Sequence, residues 1–186
     1  MKKNRGFAVT EIILVLVILA VTAVFAKLMY RKVEASTILE KSAHRLCNDL
    51  LTAYSLAVRK NTCVNVSFNT TAGQCTLRVA DSCDDPSQTN LRITVNQLSP
   101  EISFGLPDNA PAESPYPDCS ASPSDLDRTM ATGFVINPQS RATLTCRWIG
   151  LRSVKVSKTG YYIGFNTRLN TVELWKSNQN GSWLRL

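Results

Sequence analysis

The sequence is poor in the residues that build most catalytic and metal sites. Its 186 residues contain a single histidine, His44, and their eight glycines are scattered rather than grouped into a phosphate-binding loop. The six cysteines include no pair at the C-x₂₋₄-C spacing typical of zinc sites. Catalytic dyads and multi-histidine sites would all depend on His44, to which we assign no role. We therefore expect no catalytic residue, no metal site and no cofactor.

Acidic residues are scarce outside the middle of the chain. Lys and Arg number 21 against 14 Asp and Glu, which gives a formal net charge of +7. By segment, the net charge is +3 over 1–6, +4 over 7–80, −7 over 81–128 and +7 over 129–186. The simplest explanation is that acidic and basic segments face each other within the protein or between adjacent copies. Because 44% of the residues are hydrophobic, the composition supports a packed core and excludes a disordered chain.

Charge is nearly absent from one long segment near the N-terminus. Residues 7–26 hold a single carboxylate, Glu11, and follow the basic stretch at 1–6. At about 1.5 Å per residue this segment spans roughly 30 Å, the thickness of a bilayer's hydrocarbon core. The length favours a membrane helix, and the basic residues at 1–6 favour a cytoplasmic N-terminus. Lys27, Arg31 and Lys32 on the far flank weaken this inference about orientation. The alternative is a secretory signal peptide that is cut after Ala23 or Ala26.

Glu11 is unusual within an apolar segment of this kind. A carboxylate inside a membrane helix costs about 2.5–3.5 kcal/mol and normally has a specific partner. Glu11 lies four residues after Phe7. If the chain were cut between Gly6 and Phe7, the new α-amino group would supply a positive charge at the start of the helix. The same amine of a neighbouring copy could serve equally well.

The stretch KKNRG-FAVTE at 2–11, followed by an apolar helix, resembles the class III signal of type IV prepilins and type II secretion pseudopilins. The resemblance implies that a prepilin peptidase cuts after Gly6, that Phe7 is N-methylated, and that Glu11 aligns each subunit in a helical filament. It also implies a single-pass protein of the bacterial inner membrane with a periplasmic head. Its partners would be other pilin or pseudopilin subunits, and its place would be the filament tip. In a type IV pilus the filament would be extracellular.

A helical pattern continues beyond the membrane segment. Apolar residues recur at spacings of three and four, which predicts one buried helix face. These residues are Leu39, Ala43, Leu46, Leu50, Tyr54 and Ala57. No proline occurs before Pro86, so a single helix over 7–60 is predicted, with 27–60 as its amphipathic second half.

After Asn61 the hydrophobic period changes to two, which predicts strands. A hairpin is expected over 64–79, with its turn at 69–73. Further strands are expected over 91–97, 133–136, 142–149, 153–157, 161–165 and 171–176. The predicted class is α+β, a long N-terminal helix packed on an antiparallel sheet. The domains would be a leader at 1–6, a membrane and filament-core helix at 7–26, and a head at 61–186 with a Pro-rich loop at about 100–128.

Two later strands carry a second resemblance. FVINP at 134–138 and VKVSKTG at 154–160 are similar to segments of the GspH/FimT-type minor subunits. DNA-binding members of that group continue after the glycine with Gly-Arg-x-Arg. Here Gly160 is followed by Tyr161, Tyr162 and Ile163 instead. This departure puts a direct role in DNA uptake in doubt.

The basic C-terminal third nevertheless supports an alternative function, an anchored subunit that captures DNA or a surface. The candidate nucleic-acid contacts are Arg141, Arg147, Arg152, Lys155, Lys158 and Arg168. Three aromatic residues, Trp148, Tyr161 and Tyr162, would be available to stack on single-stranded nucleic acid. We favour the structural subunit over this alternative.

The six cysteines are an even number in a head that is expected to be exported, which predicts disulfides. Fifteen complete pairings are open. Cys119 with Cys146 is the candidate pair, because it would bracket the long connection from the Pro-rich loop to a strand.

Overall fold

The computed structural model describes residues 9–80, 83, 89–107, 133–138, 146–156, 159–166, 171–177 and 182–186. These residues form one helix, α1 (Val9–Lys60), and nine strands. The strands are β1 (Cys63–Asn69), β2 (Gln74–Ala80), β3 (Thr89–Gln97), β4 (Ile102–Phe104), β5 (Phe134–Ile136), β6 (Cys146–Ser153), β7 (Gly160–Asn166), β8 (Thr171–Ser177) and β9 (Trp183–Arg185). The chain divides into two compact units, residues 1–34 and 35–186, and α1 contributes to both.

The second part of α1 forms one wall of the core. Its buried residues recur at spacings of three and four, as expected for the apolar stripe of a helix on a sheet. They are Ala35, Leu39, Ala43, Leu46, Cys47, Leu50, Ala53 and Ala57. Tyr54 lies at the edge of the stripe, half-buried, with its ring edge-on to that of Phe165 at a centroid distance of 5.6 Å. The predicted helix and its buried face are thus confirmed over the described residues.

The end of α1 is closed by backbone hydrogen bonds. Asn61 has a positive φ of 49°, and its N–H donates to the carbonyl of Val58 at 3.4 Å. The N–H of Thr62 donates to the carbonyl of Ala57 at 3.1 Å. This pair of bonds is a Schellman motif, in which asparagine takes the left-handed position that glycine usually occupies. It stops the helix and turns the chain into β1.

Two antiparallel sheets complete the head. The four-stranded sheet has the order β3-β2-β1-β5, and the five-stranded sheet has the order β4-β6-β7-β8-β9. β1 and β2 pair from Cys63 opposite Ala80 to Asn69 opposite Gln74. Their turn is held by the side-chain oxygen of Asn69, which accepts a bond from the N–H of Ala72 at 2.9 Å. The predicted α+β class and the hairpin are confirmed.

Aromatic rings join the two sheets in the core. Phe68 of β1 lies edge-on to Phe104 of β4, with ring centroids 5.4 Å apart. Phe134 of β5 stacks at a tilt on Phe165 of β7 at 6.1 Å. One continuous hydrophobic cluster therefore includes the α1 stripe and the inner faces of both sheets.

The predicted strands agree with the structure at most positions and differ at three. The strand predicted over 153–157 is wrong over 154–156, because β6 ends at Ser153; residue 157 lies outside the described residues. Val154 is 75% exposed there, so its β-branched side chain packs against nothing. The two short strands β4 and β9 were not predicted, since three residues are too few to show a period. The part of the predicted strand over 142–145 lies outside the described residues.

Candidate functional site

The apolar part of α1 is the most distinctive surface of the molecule. From Ile12 to Leu19 every side chain is between 52% and 61% exposed, so no face of this stretch is covered. A helix that is hydrophobic all round belongs in a membrane or inside a bundle of other helices. Within the described part of the chain, α1 is the helix that is long and apolar enough to cross a membrane, judged by length and composition. Residues Gly6 and Phe7 lie outside the described residues.

Glu11 lies in the first turn of α1, within this exposed stretch. A carboxylate at a helix N-terminus interacts favourably with the helix dipole, by about 0.3–1 kcal/mol at an exposed site. The cost of placing it in a bilayer is larger, about 2.5–3.5 kcal/mol. The dipole alone therefore does not account for a carboxylate at this position. A positively charged partner would have to supply the difference.

Glu40 forms polar contacts between the second part of α1 and the five-stranded sheet. Its Oε2 accepts a hydrogen bond from the hydroxyl of Tyr161 at 3.1 Å and lies 3.8 Å from Nζ of Lys176. Burial, together with the nearby Glu40 carboxylate, raises the pKa of Tyr161 well above its ordinary value. The phenol therefore keeps its proton at physiological pH and donates a hydrogen bond to Glu40. Lys176 also lies over the Tyr161 ring, 5.5 Å from its centroid.

Asp49 fastens α1 to the four-stranded sheet in a similar way. Its Oδ2 accepts a hydrogen bond from the side-chain amide of Asn96 at 2.9 Å, and Asn96 is buried. A buried amide without this partner would lose about 1–3 kcal/mol of hydrogen-bonding free energy. Glu40 and Asp49 thus tie one helix to both sheets. Sequence reasoning missed both contacts, because neither carboxylate belongs to a motif and their partners lie far away in the chain.

A groove of about 690 Å³ lies along α1 between these two carboxylates. Its described lining consists of Thr37, Glu40, Lys41, His44, Arg45, Asn48 and Asp49. The charges are mixed, and the two carboxylates are already bonded to the sheets. Among the described residues, no group of three or more His, Cys, Asp and Glu side chains is placed to hold a metal ion. The groove therefore carries no recognisable chemistry.

The cysteines divide into a disulfide and two buried thiols among the described residues. Cys63 is bonded to Cys83, with Cα atoms 5.4 Å apart. Cys47 and Cys75 are free. Burial, and secondarily the Asp49 carboxylate, raises the pKa of the Cys75 thiol to about 12, so it holds its proton and is a poor nucleophile. Cys119 and the side chain of Cys146 lie outside the described residues, so that pairing stays a prediction.

Two of the six basic candidates for nucleic-acid contact have described side chains. Arg152 is exposed on β6, and its Nε donates to the hydroxyl of Ser103 at 3.3 Å. Lys155 forms an ion pair with Glu101, which neutralises part of the local charge. The other four side chains, those of Arg141, Arg147, Lys158 and Arg168, lie outside the described residues. A basic surface built from all six stays a prediction.

The three aromatic residues proposed for stacking are buried, so that part of the hypothesis is wrong. Tyr161 faces α1 and bonds to Glu40, with no exposed surface. Trp148 and Tyr162 lie on the opposite face of the same sheet, with ring centroids 5.3 Å apart, and are also buried. The Trp148 indole occupies the space where Gly164 lacks a side chain. Because side chains alternate along a strand, the neighbouring residues Tyr161 and Tyr162 lie on opposite faces of the sheet, and both are buried.

Similarity to known proteins is found among solved structures and not among sequences. No protein-family model matches the sequence, and no curated protein matches it. Two solved structures are similar. The first is that of the minor pseudopilin EpsH from the Type 2 Secretion System of Vibrio cholerae, with 12% identity and a TM-score of 0.45 over 74% of this chain and 94% of that chain. The second is a crystal structure of the minor pseudopilin EPSH from the same system of Vibrio cholerae, with 15% identity and a TM-score of 0.37 over 80% of this chain and 93% of that chain.

Proposed function

We propose that this protein is a minor pilin or pseudopilin, a structural subunit that resides in the bacterial inner membrane and joins a helical filament, at its tip. One observation carries the proposal. The apolar segment 7–26, whose described side chains are exposed on all sides over Ile12–Leu19, contains a single carboxylate, Glu11, four residues after Phe7. That combination is what a subunit needs if it is first held by lipid and later by other helices.

The mechanism requires no chemistry from the mature chain itself. A prepilin peptidase would remove 1–6 by cutting after Gly6 and would methylate the new amine of Phe7. The Glu11 carboxylate would then pair with the Phe7 amine of a neighbouring subunit. Extraction from the membrane would transfer the apolar surface from lipid tails to other helices, a change between two apolar surroundings. The charge pair would therefore decide the register and the direction of assembly.

The contacts between residues 35–60 of α1 and the sheets support this role. Residues 35–60 of α1 are held by an apolar stripe and by the contacts of Glu40 and Asp49 with the two sheets. The helix is continuous over Val9–Lys60 and ends in a closed turn. A load applied to residues 35–60 of α1 would therefore reach the sheets through a packed core.

The substitution Glu11→Ala tests this proposal. We expect the variant to be processed and inserted normally but to enter filaments at least about tenfold less, which corresponds to ~1.4 kcal/mol. A pair between opposite charges away from water is worth more than a surface pair, which justifies that lower bound. The measurement is the fraction of the protein in sheared or purified filaments relative to the fraction in the membrane.

Glu34→Ala is the matched control, because Glu34 is an exposed carboxylate of the same helix. It should enter filaments like the wild type. Normal incorporation of the Glu11 variant would refute the pairing mechanism. Equal losses in both variants would show that any lost carboxylate on α1 disturbs assembly, and the specific role of Glu11 would be refuted as well.

A further inference from the structure

A group of three cations follows the apolar stretch of α1. Lys27, Arg31 and Lys32 lie within six residues, directly after the apolar run that ends at Ala26. All three are exposed, and none of the ion pairs among the described residues involves them. We call these three residues the basic collar. Their charge is unbalanced within their own unit, where Glu34 is the nearest carboxylate that follows.

With the apolar stretch inserted as proposed above, the collar would lie at a defined depth relative to the bilayer. The eighteen residues from Val9 to Ala26 rise about 27 Å along the helix axis, close to the roughly 30 Å of a hydrocarbon core. Lys27 therefore falls where the acyl chains end, and Arg31 lies one helical turn further, among the headgroups. Tyr30 is exposed at the same level, a position typical of tyrosine at a membrane interface.

The collar also covers more than one side of the helix. Lys27 and Arg31 are four residues apart and share a face, whereas Lys32 is rotated by about 100° from Arg31. Long lysine and arginine side chains keep their stems along apolar surface and extend the charge toward the interface. The arrangement therefore offers positive charge to lipids on two sides of α1.

We propose that the basic collar binds anionic phospholipid headgroups at the membrane surface where the apolar stretch ends. The inference rests on the membrane insertion proposed above. Each cation near an anionic surface favours binding by about fivefold, and the effect is screened by salt. The collar would hold the subunit at a fixed depth, and these contacts would have to break when the subunit leaves the membrane. Anionic lipid would thus oppose extraction, and its local amount would tune the rate of assembly.

The experiment uses the full chain, reconstituted into vesicles with equal amounts of phosphatidylcholine and phosphatidylglycerol. Resistance to alkaline carbonate first establishes insertion. Spin-labelled lipids of each type then report which headgroup is retained at the protein surface at low ionic strength. For the wild type we expect phosphatidylglycerol to be preferred by about fivefold or more. Added salt should reduce this preference.

The variant K27Q/R31Q/K32Q should remain inserted and lose the preference, with a ratio close to that of a neutral helix. The control K41Q/R45Q/R59Q removes three exposed cations from a later part of the same helix and should keep it. The conservative variant R31K should also keep it, because charge rather than guanidinium geometry is required.

Three results would overturn the inference while leaving the proposed function intact. They are no preference in the wild type, an unchanged preference in K27Q/R31Q/K32Q, and an equal loss in both triple variants. The third result would assign the effect to net charge alone. Failure of the wild type to insert would refute the membrane-resident subunit and the lipid contact together.

Discussion

The two parts of α1 use apolar residues in opposite ways. Over Ile12–Leu19 every position is hydrophobic and about equally exposed, whereas from Ala35 onward most hydrophobic positions form one buried stripe, and only isolated ones such as Leu51 and Val58 are exposed. Both parts belong to one uninterrupted helix. Helix propensity therefore does not distinguish them. The two parts differ in how many of their faces are buried. The first part has no buried face, and the second part has one, which packs on the head of the same chain.

This difference in burial shows how one helix can contact both the head of its own chain and separate apolar surroundings. The stripe needs only the head of its own chain, and it is complete in the described structure. The first part needs a partner on every side, and the described residues supply none. A lipid bilayer and a bundle of neighbouring helices both meet that need, so the same surface is suited to storage in a membrane and to use in a filament.

The largest expected effect on stability comes from replacing one leucine by alanine in each of the two parts of α1. Leu46→Ala should lower the free energy of unfolding of the head by about 2–5 kcal/mol, because it leaves a cavity in a buried core. Leu16→Ala should change it by less than about 0.5 kcal/mol, since that side chain is uncovered in the folded chain. The measurement is urea unfolding of the detergent-solubilised protein, followed by the near-ultraviolet circular dichroism of its tryptophans. Equal losses of unfolding free energy at the two positions would contradict the difference in packing between the two parts of α1.

A second, slightly smaller effect concerns the start of the head. Replacing both Cys63 and Cys83 by alanine should lower the free energy of unfolding by about 3 kcal/mol, because the bond closes a loop of 20 residues. Urea unfolding measures the loss. Thiol labelling of the wild type in denaturant provides the check: without reductant, Cys47 and Cys75 should react and Cys63 and Cys83 should not. Labelling of the latter pair, or unchanged stability of the double variant, would contradict the disulfide.

The smallest effect concerns the polar contact between α1 and the five-stranded sheet. Tyr161→Phe should cost about 1 kcal/mol at neutral pH, the typical net value of one hydrogen bond. The pKa of Tyr161 is raised above its ordinary value of 10.0, so its contribution is complete below pH 10.0 and is lost as the pH rises further. Wild type should therefore lose stability above that pH more steeply than Tyr161→Phe does. Parallel stability curves for the two proteins in alkaline urea titrations would show that the contact with Glu40 has no such role.

Sequence patterns predicted the parts of this fold in which periodicity is long. The buried stripe of α1 and the alternation of β1 and β2 extend over many residues, so each gives an unambiguous period. The three-residue strands β4 and β9 gave no such signal. The strand expected over 153–157 is wrong over 154–156, where β6 has already ended at Ser153 and the β-branched Val154 is exposed rather than packed.

The candidate sites were less predictable than the fold, for a physical reason. Glu11 is recognisable because a charge in an apolar run is costly wherever the chain folds. The roles of Glu40 and Asp49 depend on Tyr161 and Asn96, which folding brings to them from distant positions. The burial of Trp148 likewise follows from the missing side chain of Gly164 across the strand pair. None of these contacts has a local signature in the sequence.

The intact mass of the protein purified from its native membrane tests the central claim most directly. If the chain is a pilin-like subunit, the mass should correspond to loss of 1–6 and addition of one methyl group on Phe7. A full-length mass would contradict this account and indicate a plain membrane anchor. Cleavage after Ala23 or Ala26 would also contradict it, because the exposed apolar helix would then be a discarded signal and no part of a filament.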